Sequence, residues 1–255
     1  MAETPSRSPR SFALAPLALV AGGLLLLLAG ALAGWLFESR RNAVASSPDK
    51  AAIEQVVRSY ILDHPEILPE AMERLRDRET KKQLAGVADQ VETPFPGAIL
   101  GNPQGKITLV EFTDYACTYC RQSVADVDAL IAANPDLKVV IRELPILSPA
   151  STDAARMALA AAEQGRFGAF HKAMFGLGRP DARTIAAAAT AAGLDMVRAR
   201  RVIADPRIEA EINKNLNHAR QLGFNGTPSW VIGNALLSGA VGQQELAKAL
   251  TDARG

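Results

Sequence analysis

Two cysteines, the only ones among the 255 residues, stand at Cys117 and Cys120. Thiols at this C-x-x-C spacing can bind a metal, close a disulfide, or attack another disulfide as a thiolate. A zinc site would need two further ligands, and His64, His171 and His218 show no ligand spacing with the pair. A structural disulfide across so short a loop would constrain the unfolded chain little. The pair therefore indicates redox chemistry, with no metal and no organic cofactor.

The segments on either side of the cysteines predict where they lie in a fold. A β-rich run, Ile107 to Thr113, precedes them, and an apolar pattern of helical period follows over Ser123 to Ala133. Cys117 would thus lie near the first turn of a helix, where unpaired backbone N–H groups and the helix dipole favour negative charge. This placement predicts a reactive thiolate at Cys117 rather than a buried, inert thiol.

The remainder of residues 91–255 predicts one α/β domain. Leu137 to Leu144 is a second buried strand, so strand, helix and strand form a parallel βαβ unit. Residues at about 149–222 contain only helical patterns and predict an all-helical insertion. After it, Gly226-Thr227-Pro228 leads to the strands Ser229 to Ile232 and Ala235 to Ser238, and then to a helix over Gln243 to Ala253.

The N-terminal residues 1–41 contain an apolar segment. Phe12 to Phe37 carry no charge, and a helix of this length, at about 1.5 Å per residue, exceeds the apolar core of a bilayer. We expect an uncleaved anchor in the inner membrane, with Trp35 at the interface and a tethered periplasmic domain behind it. The alternative is a signal peptide ending at Ala31-Leu32-Ala33, whose cleavage would release a soluble protein.

Residues 42–90 predict a polar linker followed by two helices. Apolar residues recur at helical spacing along these helices: Ile53, Val56, Val57, Tyr60, Ile61, Ile67, Leu68, Met72 and Leu75. Such a stripe must be buried either on the main domain or on a second copy of the chain. Residues 53–78 are therefore a candidate oligomerisation segment. The net charge of +1 gives no reason to expect a nucleic-acid partner.

In combination, these motifs resemble the DsbA-like branch of the thioredoxin superfamily. The resemblance covers about Ala98 to Gly255 and rests on V-E-F-T-D-Y, on C-T-Y-C at a helix start, on the helical insertion and on T-P before a terminal hairpin. The segment Ile53 to Arg78, with V-R-S-Y-I-L-D-H-P-E-I-L, is similar to the N-terminal extension of bacterial ScsC-like (suppressor of copper sensitivity) proteins. In that family such an extension can mediate oligomerisation.

The resemblance implies a thioredoxin-like fold and an exported thiol:disulfide oxidoreductase. It makes Cys117 the nucleophile and Cys120 the resolving thiol. Glu111 occupies the position of a buried acid; a desolvated carboxyl has a raised pKa and could exchange a proton with Cys120, whereas a partly exposed Glu at a strand edge is the alternative. The residues expected at the substrate are Thr118, Tyr119, Thr227 and Pro228, with Pro228 in a cis peptide bond.

The implied partners are unfolded or misoxidised secreted proteins and a membrane redox partner that resets the cysteine pair. Thr118-Tyr119 replaces the Pro-His of the strongly oxidising prototype and looks more like the periplasmic isomerases. Oxidase, isomerase and reductase directions therefore stay open. A non-enzymatic alternative also stays open, because soft thiolates select Cu(I) and the dithiol could carry that ion.

Overall fold

The computed structural model describes residues 15–45 and 48–254. The chain divides between Ala71 and Met72 into two compact units. The described part of the first unit contains α1 (Ala15–Ala45), α2 (Pro48–Asp63) and the start of α3 (Ile67–Leu84), with a turn at residues 64–66. The domain boundaries expected after residues 41 and 90 stay predictions.

Helix α1 contains most of the apolar segment that predicted a membrane anchor. A spanning helix needs about 20 consecutive, predominantly apolar residues. Within residues 15–45 and 48–254, no helix meets the combined demands of length and apolar character for crossing a membrane. The predicted anchor is therefore not supported, and residues 12–14 of the segment lie outside the described residues.

The second unit is built on a five-stranded mixed sheet. In sheet order, the strands are β1 (Ile99–Gly101), β3 (Leu137–Glu143), β2 (Ile107–Thr113), β4 (Ser229–Ile232) and β5 (Ala235–Ser238). Strands β2 and β3 are parallel, and the other neighbouring pairs are antiparallel. The predicted bounds of β2, β4 and β5 are confirmed, and β3 ends one residue before the predicted end.

Helices cover both faces and both ends of this sheet. They are α4 (Ala88–Glu92), α5 (Thr118–Ala133), α6 (Pro149–Ala162), α7 (Phe167–Leu177), α8 (Ala182–Ala191), α9 (Met196–Ile203), α10 (Pro206–Gln221) and α11 (Gly242–Asp252). Helices α6 to α10 form the predicted insertion between β3 and β4. Helix α5 begins at Thr118, five residues before the predicted start, because a side chain in the C-T-Y-C segment itself caps it.

The alternation of side chains along β2 separates two apolar clusters. Leu109 lies in the larger cluster with α5 and the helical insertion, whereas Val110 and Phe112 lie in a smaller cluster on the opposite face. Leu84 and Val87 close the smaller cluster. Part of the segment that the sequence assigned to a separate helical extension therefore belongs to the core of the second unit.

A buried arginine joins three elements of this smaller layer. Arg142 of β3 donates to Glu211 at 2.8 Å and to Asn215 at 3.1 Å, both on α10. The same guanidinium donates to the carbonyl oxygens of α4 and its C-terminal end at Gln90, Val91 and Thr93. A buried charge costs several kcal/mol unless it is paired and hydrogen-bonded. The arginine therefore ties α4 to β3 and α10.

Candidate active site

Cys117 is the N-cap residue of α5. Its Sγ accepts a hydrogen bond from the backbone N–H of Cys120 at 3.4 Å, as the oxygen of a serine or aspartate cap would. Its own N–H donates to the carbonyl of Asp114 at 2.9 Å, which closes the turn between β2 and the helix. The sulfur thus faces the end of the helix where backbone donors favour an anion.

The segment that leads into β4 lies directly opposite this sulfur. The peptide bond Thr227–Pro228 is cis, and the Cys117 thiol donates to the carbonyl oxygen of Thr227 at 3.2 Å. The chain thus brings together two motifs that are 110 residues apart. The backbone at Thr227 therefore lies beside the Cys117 sulfur.

Both cysteines are buried, which corrects the expectation that the Cys117 thiol is not, but Cys117 is the more exposed of the two, as predicted. Cys117 is 6% exposed and Cys120 is fully buried. Burial raises the pKa of the Cys120 thiol well above its ordinary value, and the nearby negative charge of Glu111 raises it further. Cys120 therefore needs a base before it can act as a thiolate.

Glu111 lies in the middle of the sheet, one residue from the centre of β2. Its backbone pairs with Ile141 of β3 on one side and with Trp230 of β4 on the other. The side chain is 3% exposed, so the alternative of a half-exposed Glu at a strand edge is wrong. Desolvation raises the pKa of Glu111 from 4.5 to about 8, while the nearby Thr113 hydroxyl acts in the opposite direction.

A cavity of about 210 Å³ connects Glu111 to the protein surface. Its wall is formed by α5, α7 and β1, with the buried ring of His171 beside Glu111. Lys172 and Asp128 are exposed residues of the same cavity and form an ion pair at 2.9 Å. The volume is sufficient for several water molecules, and these polar groups can hold them.

A second buried polar chain lies behind the cysteines. The hydroxyl of Tyr115 donates to Glu143 at 3.1 Å and lies 3.1 Å from Nδ1 of His171. Burial raises the pKa values of Glu143 and Tyr115 well above their ordinary values. Burial lowers the pKa of His171 to about 4, so its imidazole is neutral at physiological pH. None of the three was assigned a role from the sequence.

Asp114 fixes the loop that follows β3 against the cysteine turn. One carboxylate oxygen accepts from the N–H of Ala116 at 2.8 Å, and the other accepts from the N–H groups of Ile146 and Leu147 at 2.9 Å each. The side chains of Ile146 and Leu147 remain exposed. The sequence offered only the position of Asp114 directly after a strand, and nothing pointed to residues 146 and 147.

The residues between the cysteines face solvent. Thr118 is exposed, and Tyr119 is 62% exposed although it is a large aromatic residue. Tyr119, Ile146 and Leu147 are thus three exposed apolar side chains: Tyr119 lies in the first turn of α5, which Cys117 caps, and the other two lie in the loop that follows β3. Contiguous exposed apolar surface is typical of interaction sites.

The described residues contain no cluster of three or more His, Cys, Asp or Glu side chains that could hold a metal ion.

A mixed sheet of this topology, with a C-x-x-C pair at a helix start facing a cis-proline, defines a thioredoxin-like protein. Residues 108–251, more than half of the chain, match the family described as a DSBA-like thioredoxin domain. The chain belongs to this DsbA-like thioredoxin family. Residues 49–82 match the family described as the copper resistance protein ScsC N-terminal domain. Both resemblances predicted from the motifs are confirmed.

Solved structures of similar proteins agree with this assignment. A thioredoxin-like oxidoreductase from Silicibacter pomeroyi is 44% identical, with a TM-score of 0.59 over 61% of this chain and 91% of that one. The thiol-disulfide exchange protein alpha-DsbA2 from Wolbachia pipientis is 30% identical, with a TM-score of 0.64 over 70% and 97%. A periplasmic thioredoxin-like protein from Salmonella enterica serovar Typhimurium is 28% identical, with a TM-score of 0.59 over 66% and 95%.

Curated relatives are longer proteins. The Na(+)/H(+) antiporter NhaA 1 of Salinispora arenicola is 28% identical over 189 residues, which are 71% of this chain and 29% of that protein. In a second antiporter, from Salinispora tropica, the matched part is 24% of the protein. The chain thus spans less than a third of the length of these relatives.

Proposed function

We propose that this chain is a thiol:disulfide oxidoreductase that forms or reshuffles disulfides in exported proteins. The observation that carries the proposal is the position of Cys117, which caps α5 and lies 3.2 Å from the carbonyl of Thr227 before the cis-proline. A sulfur placed at helix N–H groups and beside an open backbone segment can meet a substrate disulfide as a thiolate. Two similar solved structures, of an oxidoreductase and of a thiol-disulfide exchange protein, support this assignment.

In the reducing direction, the Cys117 thiolate attacks one sulfur of a substrate disulfide. A Cys117–substrate disulfide forms as the substrate bond breaks, and the second substrate sulfur leaves as a thiolate. The Cys120 thiolate then attacks the Cys117 sulfur, which closes the Cys117–Cys120 disulfide and releases the first substrate sulfur. The same steps in reverse oxidise a substrate dithiol, and a cycle that starts and ends with the reduced pair isomerises.

Glu111 acts in this scheme as the base for Cys120. The buried thiol cannot lose its proton to solvent directly, and the nearby carboxylate can accept it. The carboxyl with a pKa of about 8 is poised near neutral pH, where a proton can pass in either direction.

The substrate is an unfolded or misoxidised polypeptide in an extended conformation. Thr227 and Pro228 provide the backbone beside which it lies, and Thr118 and Tyr119 flank the reacting sulfurs. Tyr119, Ile146 and Leu147 are exposed and could contact apolar side chains near the substrate cysteine. An unfolded substrate offers such side chains, whereas a folded one buries most of them.

The proposed compartment is the periplasm, where a membrane redox partner resets the cysteine pair. Disulfides form and persist in oxidising compartments, and the cytosol would hold this pair reduced. One similar solved structure is that of a periplasmic thioredoxin-like protein. A redox-sensitive reporter fused after Ala253 should therefore be found in its oxidised form, and a reduced reporter would contradict this compartment.

The direct test is oxidation of a peptide that contains two cysteines, with the oxidised chain as the only oxidant. The parent chain should convert one peptide equivalent for each equivalent of protein, whereas Cys117→Ser should convert none. A Cys117→Ser variant as active as the parent would refute the proposal.

A copper-carrying role is the second candidate, favoured by the match of residues 49–82 to a copper resistance protein domain. Two soft thiolates can bind Cu(I). Anaerobic titration of the reduced chain with Cu(I) separates the two roles. Tight binding of one ion per chain together with failure in the peptide assay would favour the carrier.

A further inference from the structure

A buried hydroxyl lies close to both groups that must exchange a proton. Thr113 is the last residue of β2 and lies two residues after Glu111, so both side chains project from the same face of the strand. Thr113 is fully buried, and its carbonyl accepts from the N–H of Leu144 at 2.8 Å, which fixes the end of the strand.

Within the described part of the chain, the Thr113 hydroxyl has no hydrogen-bond partner. Its Oγ1 is buried, and among the residues that the structure describes it makes no hydrogen bond of ordinary geometry. Most buried hydroxyls in native structures are hydrogen-bonded, because an unpaired one destabilises the fold. The hydroxyl also lies close enough to lower the pKa of both Glu111 and Cys120 by hydrogen bonding.

We propose that Thr113 is a catalytic residue whose hydroxyl relays the proton between Cys120 and Glu111. A hydroxyl suits this task because it donates one proton and accepts another at the same oxygen. It has no fixed partner because it must turn toward the carboxylate or toward the sulfur as the reaction proceeds. This inference rests on the proposed function of the cysteine pair.

The relay balances in atoms and charge. The Thr113 hydroxyl gives its proton to the Glu111 carboxylate as it takes the proton of the Cys120 thiol, so the threonine ends unchanged. The products are a protonated Glu111 and a Cys120 thiolate, which attacks the sulfur of Cys117 in the mixed disulfide. Glu111 then releases its proton to water in the cavity that leads to Lys172 and Asp128.

The experiment separates the two thiol steps with a symmetrical aromatic disulfide that releases one coloured thiolate at each step. The reduced chain gives a first phase for attack by Cys117 and a second phase for resolution by Cys120. Thr113→Val removes the hydroxyl and keeps the shape, and Thr113→Ala is a second variant without the added methyl group. Thr113→Ser restores the hydroxyl, and Thr108→Val on the same strand is the matched control.

We expect Thr113→Val and Thr113→Ala to slow the second phase about tenfold or more and to leave the first phase unchanged. Thr113→Ser and Thr108→Val should stay within about twofold of the parent. In a Glu111→Gln background, removal of the hydroxyl should add less than about a twofold effect, because both residues serve one transfer.

A second phase at the parent rate in Thr113→Val would overturn the relay, and so would equal slowing in the parent and Glu111→Gln backgrounds. The proposed function has separate failures. If the parent shows no second phase at all, the cysteine pair does not act as proposed, and if Glu111→Gln leaves that phase unchanged, Glu111 is not the base.

Discussion

At the scale of single residues, the buried carboxyl of Glu111 links chemistry to stability. Its pKa is about 8 in the folded chain against 4.5 in the unfolded chain, so the folded state holds an extra proton between these pH values. The stability that this group contributes is fully present below pH 4.5 and is lost as the pH rises toward 8. A carboxyl that serves as a base near neutral pH therefore destabilises the fold when it ionises.

Glu111→Gln should make stability less dependent on pH. In the reduced chain at pH 8, the variant should be more stable than the parent by about 4 kcal/mol, because glutamine never ionises. At pH 4 the two should unfold at nearly the same urea concentration. Chemical denaturation at both pH values checks this, and a variant less stable than the parent at pH 8 would contradict the raised pKa.

Asp114 is the residue that holds the apolar loop beside the cysteines. Asp114→Ala leaves the buried N–H groups of Ala116, Ile146 and Leu147 without their acceptor, and it should lower the free energy of unfolding by about 2–4 kcal/mol. Asp153→Ala is the control, since Asp153 is exposed and forms only a surface ion pair. Equal unfolding midpoints for Asp114→Ala and the parent would show that the loop does not depend on this carboxylate.

At the scale of elements, Arg142 connects β3, α4 and α10 through one guanidinium. Arg142→Met should destabilise the chain by about 3–5 kcal/mol, because the buried Glu211 keeps only Lys214 as a cationic partner and three carbonyl groups lose their donor. Adding Glu211→Leu should recover part of the loss, since the buried carboxylate that lost its arginine is then gone. Urea denaturation of both variants measures the coupling, and additive losses would mean that the pair does not interact.

The elements differ in how well the sequence predicted them, for physical reasons. Strands β2, β4 and β5 were predicted with their observed bounds, because short β-branched and apolar runs between turn residues carry a local signal. Cys117 was correctly placed near the first turn of a helix, but the predicted bound at Ser123 was five residues late, because C-T-Y-C-R-Q-S has no apolar period and the helix begins there through a cap. Burial of the end of α3 in the sheet core was missed because it depends on contacts between distant segments.

The site residues likewise divide into those that a local motif predicts and those that depend on distant contacts. The cysteines, Glu111 and the Thr227–Pro228 bond could be found in the sequence through motifs with local spacing. The contact of Asp114 with Ile146 spans 32 residues, and no local pattern announces it. The same holds for Tyr115 with His171, which are 56 residues apart. Residues of this kind become visible only once the fold has brought them together.

At the scale of the whole molecule, the apolar stripe of α2 suggests a second copy of the chain. Ile53, Val56, Val57 and Tyr60 are all more than half exposed in the single chain. Burying each such side chain stabilises by about 1.5–3 kcal/mol. We therefore predict a homo-oligomer through residues 53–78, which would let several active sites act on one substrate.

Light scattering on variants of α2 tests this prediction. The double variant Ile53→Glu with Val57→Glu should shift the chain to a monomer. The control is the charge swap Lys50→Glu with Glu54→Lys, two residues that form an ion pair on the same helix at 3.8 Å. It should leave the molar mass of the particle unchanged. A parent chain that is monomeric would show that the predicted oligomer is wrong. The main reason to favour isomerase activity would then be lost as well.

The most direct test of the whole mechanism is the behaviour of Cys120→Ala toward a protein substrate with a disulfide. Cys117 should still attack, but without a resolving thiol the covalent complex should persist, and mass spectrometry should locate the bond at Cys117. In the reduced parent, iodoacetamide should modify Cys117 before Cys120. A Cys120→Ala variant that turns over like the parent, or faster modification of Cys120, would contradict the assignment of Cys117 as the nucleophile.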